Sequence, residues 1–113
     1  MKYIEVPTKL DDVWKECLRM WRWISDQVRK GNSRDINELK SIWFNKEGYV
    51  ESDICCGCFF CKYDQEENGS MCSNCPGALV DPEFDCRYTE YDSFQEPIKF
   101  YNKLRSLNRK RLK

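Results

Sequence analysis

The sequence predicts a small α+β domain, mainly helical, in which three helices pack around a compact cysteine-rich module carrying one or two short strands. Three observations predict it. The 113 residues amount to one domain, with high aromatic and ordinary hydrophobic content. Long stretches on both sides of the cysteines repeat apolar residues at steps of three and four. Seven of the eight cysteines crowd between residues 55 and 86, where a chain this short profits from a staple.

In chain order, "YIEV" (Tyr3 to Val6) is the candidate strand, which Pro7 and Thr8 end. The first helix is expected over about residues 10–30. Leu10, Val13, Trp14, Cys17, Leu18, Trp21, Ile24 and Val28 fall on one stripe, and Gly31 supplies the stop. Cys17 on that stripe reads as a small core hydrophobe. Trp23 projects from the polar side near Asp12, Arg19 and Lys30, so it lies under another element or faces a partner. A second helix is expected over about 34–46, capped by Ser33 or Asp35 with Glu38 in the first turn. Ile36, Leu39, Ile42 and Trp43 form its apolar face and Gly48 ends it. "YVESDI" (Tyr49 to Ile54) reads as an extended approach to the cysteines. The last helix starts near Ser93 or Glu96, where "SFQE" fits a capping box and Pro97 is tolerated in the first turn. The organisation is therefore a single domain over 1–113: a helical part at 1–48, an acidic cysteine module at 49–92 and a basic helix at 93–113.

Within the module, Cys58-x2-Cys61 and Cys72-x2-Cys75 are the strongest pattern. Each C-x2-C lets two thiolates converge on one ion, and two such hooks give the closed four-sulfur shell that zinc accepts. Phe59 and Phe60 anchor the first hook in the core. "KYDQEENGSM" between the hooks is polar, carries the turn signal "NG" and does not read as a helix. Pro76 and Gly77 suit a tight exit. One structural Zn2+ is the expected cofactor, with Cys58, Cys61, Cys72 and Cys75 as ligands and Cys86 and Cys55 as alternates. The module is then zinc-knuckle-like, of zinc-ribbon or treble-clef type. An iron–sulfur group also uses four cysteines, and a thioredoxin-like use of "CFFC" would need a strand before it and a helix after it. Histidine is absent, which removes mixed Cys/His metal sites and the usual base or activator of catalysis. A closed thiolate shell has no open position for substrate, so the chain is expected not to be an enzyme, and no small-molecule substrate is evident. No apolar run approaches the roughly 20 residues of a membrane span, and "MKYIEVPTKLDD" lacks an apolar signal region. The expectation is a cytoplasmic protein with reduced thiols and no membrane partner.

The helix with "MWRWI" (Met20 to Ile24), then "CFFCKY", "CSNCPG", a later Cys86 and "YDSF" (Tyr91 to Phe94) resemble small cysteine-rich phage and prophage proteins of bacteria. The resemblance spans roughly residues 10 to 105. It implies cysteines that serve as metal ligands, Cys86 among them, in a phage accessory protein acting in the bacterial cytoplasm.

Charge cancels overall but not locally. Residues 55–93 carry Lys62 and Arg87 against eight carboxylates, and residues 94–113 carry seven cations against Glu96. Two partner classes follow. The first is a host or phage protein, met through Trp23 and the acidic Asp64, Glu66 and Glu67. The outcome would be modulation of the host, including inhibition of its defences, or imitation of nucleic acid in a basic groove. The alternative is nucleic acid itself, met by Lys99, Lys103, Arg109, Lys110 and Arg111. Attraction between the acidic and basic segments would account for both patches with no partner at all.

Overall fold

The computed structural model describes residues 5–50, 54, 58–67 and 73–113. Among these, five helices follow one another: α1 (Leu10–Arg29), α2 (Ile36–Glu47), α3 (Phe59–Glu66), α4 (Pro76–Val80) and α5 (Pro97–Arg111), with a 3-10 turn at Thr89–Tyr91. No strand occurs among the described residues, so the α+β expectation is overturned in favour of an all-helical fold, and neither a zinc ribbon nor a treble clef is present there. The physical reason is coverage. Packed helices bury the apolar side chains that a strand pair would have sheltered. Residues 3 and 4 of the expected first strand and 51–53 of the second extended segment lie outside the described residues.

The α1 stripe is the axis of the molecule. Val13, Trp14, Cys17, Met20, Trp21 and Ile24 are all buried, and α5, α3 and α2 pack against this helix. Each large side chain so buried contributes about 1.5–3 kcal/mol. Asp35 caps α2 by accepting the Glu38 N–H at 2.9 Å. Gly31 follows α1 and Gly48 ends α2 at φ of 85° and 92°, a region that only glycine enters without strain. α5 starts after Glu96, its N-cap, with no side-chain cap, and Pro97 opens the helix. The turn before it is held by Asp92, whose Oδ1 accepts the N–H groups of Phe94 and Gln95 at 2.8 and 3.1 Å. Ser93 is buried instead.

Two helices appear where the sequence reading expected loops. α3 begins inside "CFFC" and continues through "KYDQE". α4 forms where Pro76 and Gly77 were expected to make only a tight exit, with Pro76 in its first turn. Both are short, and tertiary burial drives them. Phe59 and Phe60 are 1 % and 3 % exposed, and they enter different aromatic groups. Phe59 meets Trp43, Phe44 and Tyr49 at centroid distances of 6.0, 5.8 and 5.4 Å. Phe60 meets Trp14 at 4.8 Å and Phe84 at 6.3 Å. No helix of the described residues is long and apolar enough to cross a membrane.

Candidate metal centre

The first hook is set by the start of α3. Cys58 holds the N-cap position with extended backbone, and its Sγ accepts the Cys61 N–H at 3.4 Å. A cysteine sulfur thus does the work that an Asp or Ser oxygen usually does at a helix start. Hydrogen bonding to Cys61 holds the Cys58 thiol down at about 6; burial opposes this, while Lys40 and the Cys61 and Phe60 amides assist. Asn74, next to Cys75, is tied to α3 through Asp64. This carboxylate is buried and accepts the Asn74 N–H at 2.6 Å, while Asn74 Nδ2 donates to the Glu67 carbonyl at 3.0 Å. Cys75, next in the chain, caps α4, and its carbonyl accepts the Leu79 N–H at 2.9 Å. Cys86 sits half-buried in the α4–α5 connection. There its carbonyl accepts the Ser93 N–H at 2.9 Å, and the Arg87–Asp92 pair at 2.9 Å closes the same loop.

These segments converge. Cys58, Cys61, Cys75 and Cys86, joined by Cys17 from α1, line one chamber of about 220 Å3 whose remaining wall is mainly aromatic. No two of these five are linked by a disulfide. Burial pushes the Cys17 thiol well up, and the neighbouring Cys58 and Cys75 add to this. Lys40 of α2 faces the same space. It is 6 % exposed, with Nζ 5.3 Å from the ring centroids of both Trp21 and Phe94. Among the described residues, no group of three or more Cys, His, Asp or Glu side chains stands so that it could hold a metal ion.

Of the expected ligands, Cys58, Cys61 and Cys75 come together with the alternate Cys86. Cys72 and the alternate Cys55 lie outside the described residues. Cys17 is core, as its stripe position implied, yet it is also chamber wall, and no spacing rule connects it to the hooks. Lys40 was missed. Its signal was a cation on the apolar face of α2, four residues after Ile36 and three before Trp43.

The candidate surfaces divide. Glu66 and Glu67 are exposed, although Glu66 pairs with Lys62 at 2.9 Å. Asp64 is withdrawn from the surface, because its carboxylate is committed to the Asn74 amide. Trp23 is half-covered, lying under Lys46 at 5.9 Å in a shallow groove with Arg19, Arg22 and Trp43. Of the basic set, Lys99, Arg109 and Lys110 are exposed. Lys103 pairs with Asp81 at 3.3 Å, and Arg111 pairs with Asp11 at 2.6 Å and lies over Trp14. Internal attraction therefore claims two of the five cations.

No protein-family model matches the chain, and no curated protein or solved structure matches it either.

Proposed function

We propose that this chain is a non-enzymatic binding module of the phage accessory type, organised by a metal group that thiolates of Cys58, Cys61, Cys75 and Cys86 hold. Its partner would be a host or viral protein. The observation that carries the reading is the convergence of those four cysteines, from three separate segments, on one chamber. Zinc is the simplest occupant a four-thiolate donor set accepts, and such a shell stabilises a fold without turning over a substrate. The groove at Trp23, flanked by Arg19, Arg22 and Lys46, supports a protein partner: an amphipathic indole beside cations is a common anchor at interfaces.

Two measurements test this. The purified chain should carry metal and should lose stability when a chelator removes it. A chain that is metal-free and indifferent to chelators contradicts the metal centre. Trp23→Ala should weaken capture of a partner from host cells while leaving the unfolding midpoint within a few degrees of the parent. Unfolding by that substitution would make the indole a core residue and not an anchor.

A further inference from the structure

We infer that Cys58 and Cys61 form a reversible dithiol–disulfide pair, which makes the chamber wall a site of thiol–disulfide exchange with a low-molecular-weight disulfide. The inference goes beyond the metal reading, since it concerns the chain while no metal is bound. Contact is the first argument. Cys58 Sγ accepts the Cys61 N–H at 3.4 Å, and the Cys61 side chain hydrogen-bonds the same thiol. The two thiols are therefore neighbours, and both are free. Disulfides span Cα separations of about 4.4–6.8 Å, and one helical turn rises about 5.4 Å. Because the pair sits on one turn, rotation of the two side chains closes the bond without rebuilding the backbone.

Local structure gives the second argument. Redox use of "CFFC" needs a helix after the motif, and α3 is that helix. Cys58 is its N-cap, and Cys61 lies in its first turn. The helix also fixes the spacing of the pair, with Phe59 and Phe60 buried between them.

Access is the third. Cys58 and Cys61 are part-exposed, whereas Cys17 and Cys75 are buried. Cys86 is part-exposed too but belongs to the α4–α5 connection. Asp85 and Arg87 share the wall and are engaged within their own loop. Asp85 Oδ1 accepts the Arg87 N–H at 2.9 Å, and the Arg87 side chain pairs with Asp92 at 2.9 Å.

The exchange takes two steps. One sulfur of the pair attacks a sulfur of the small disulfide. That S–S bond breaks, and the first small thiol leaves with the attacking cysteine's proton. The second cysteine then attacks the first, breaks the mixed disulfide and sends out the second small thiol with its own proton. Two protein thiols are oxidised to one disulfide, and one small disulfide is reduced to two thiols.

The test equilibrates the full chain, reduced and stripped of metal by a chelator, with mixtures of glutathione and glutathione disulfide in the absence of oxygen. Two thiols should be lost together with one midpoint, peptide fragmentation should place the bond at Cys58–Cys61, and dithiothreitol should restore both. Cys58→Ser and Cys61→Ser should each stop at a mixed disulfide with glutathione. No disulfide across the whole range, or a bond between other cysteines in place of this one, overturns the pair. Mapping on the unchanged chain decides this even where a serine variant fails to fold. Zinc is then offered to both forms. Loss of zinc uptake on oxidation supports the pair and the metal centre together. A reduced chain that ignores zinc yet still closes Cys58–Cys61 overturns the metal centre and leaves the pair standing.

Discussion

Gly77→Ala pits local propensity against packing, and the structure decides the sign. Alone, the change should stabilise a helix by about 0.5–1 kcal/mol. The added methyl, however, would stand 2.5 Å from Phe84 Cδ2 and 2.6 Å from Cε2. Ordinary carbon contacts begin near 3.5 Å, so the ring must retreat by about 1 Å. It has little room to do so, because Phe84 stacks on Tyr91 at 5.9 Å and meets Phe60 at 6.3 Å and Phe100 at 6.1 Å. Overpacking of this kind costs about 1–3 kcal/mol, which leaves a net loss of about 0.5–2 kcal/mol. For a chain of this length each kcal/mol moves the midpoint by about 4 °C, so Tm should fall by about 2–8 °C. Thermal and urea unfolding of the variant would measure it, and zinc content would report the chamber wall that Phe84 helps form. Repeating the substitution in a Phe84→Leu background should abolish the penalty. A Gly77→Ala protein as stable as the parent, or a penalty undiminished in the Phe84→Leu background, would refute the clash.

Three further outcomes follow from groups at the same centre. Asp64→Ala strips the Asn74 amide of its acceptor and should cost about 1–3 kcal/mol in urea unfolding, with metal retention falling because Cys75 is adjacent; Asp64→Asn, which keeps an acceptor oxygen, should cost less. Hydrogen bonding to Arg87, aided by the Gln95 and Phe94 amides, holds the Asp92 carboxyl below the usual carboxylate range. Its contribution is therefore present above the unfolded value of about 4 and lost as pH falls through the folded value. Asp92→Asn should be less stable than the parent at pH 7, and the gap should close on acidification below about pH 4; a gap unchanged at lower pH would contradict this. Lys40→Met should stabilise the metal-free protein by about 1 kcal/mol, since a largely buried cation is removed at the loss of its contacts with the Trp21 and Phe94 rings. If the proposed thiolate centre holds a metal, the order should reverse in the loaded protein, because the metal–thiolate charge would lose its counter-ion, and paired unfolding curves with and without metal would show whether it does.

Legibility in the sequence followed length and period. α1 carries its apolar residues at helical spacing over five turns, and α2 and α5 have a signalled stop or start, so these three were readable to within a few residues. α3 and α4 were not. Eight residues and five residues are too few for a period to emerge, and the reading of "KYDQEENGS" as loop gave the "NG" turn weight over the good helix formers before it. What holds α3 is tertiary: two phenylalanines buried in different aromatic groups and a sulfur at the cap. The expected strands rested on segments of four to six residues whose pairing partners no local signal could supply. At the site, C-x2-C spacing singled out Cys58, Cys61 and Cys75, and all three line one chamber. Cys17 was recognised only as a hydrophobe, since its approach to the hooks depends on how α1 meets α3, which spacing does not encode. Lys40 was overlooked because a single cation on an apolar face is outweighed by its neighbours.

The packing of α1 against α5 also governs when this protein takes shape. Asp11 and Arg111, which pair across that interface, are 100 residues apart, and ribosomes add about 5–20 residues per second. α1 therefore waits about 5–20 s for α5 to follow it, its tryptophans open to chaperones and to other nascent chains. The chamber's thiols appear over the same interval, Cys17 before the others and Cys86 after them. A synonymous change that stalls translation between Cys86 and α5 would lengthen that window without altering a single side chain.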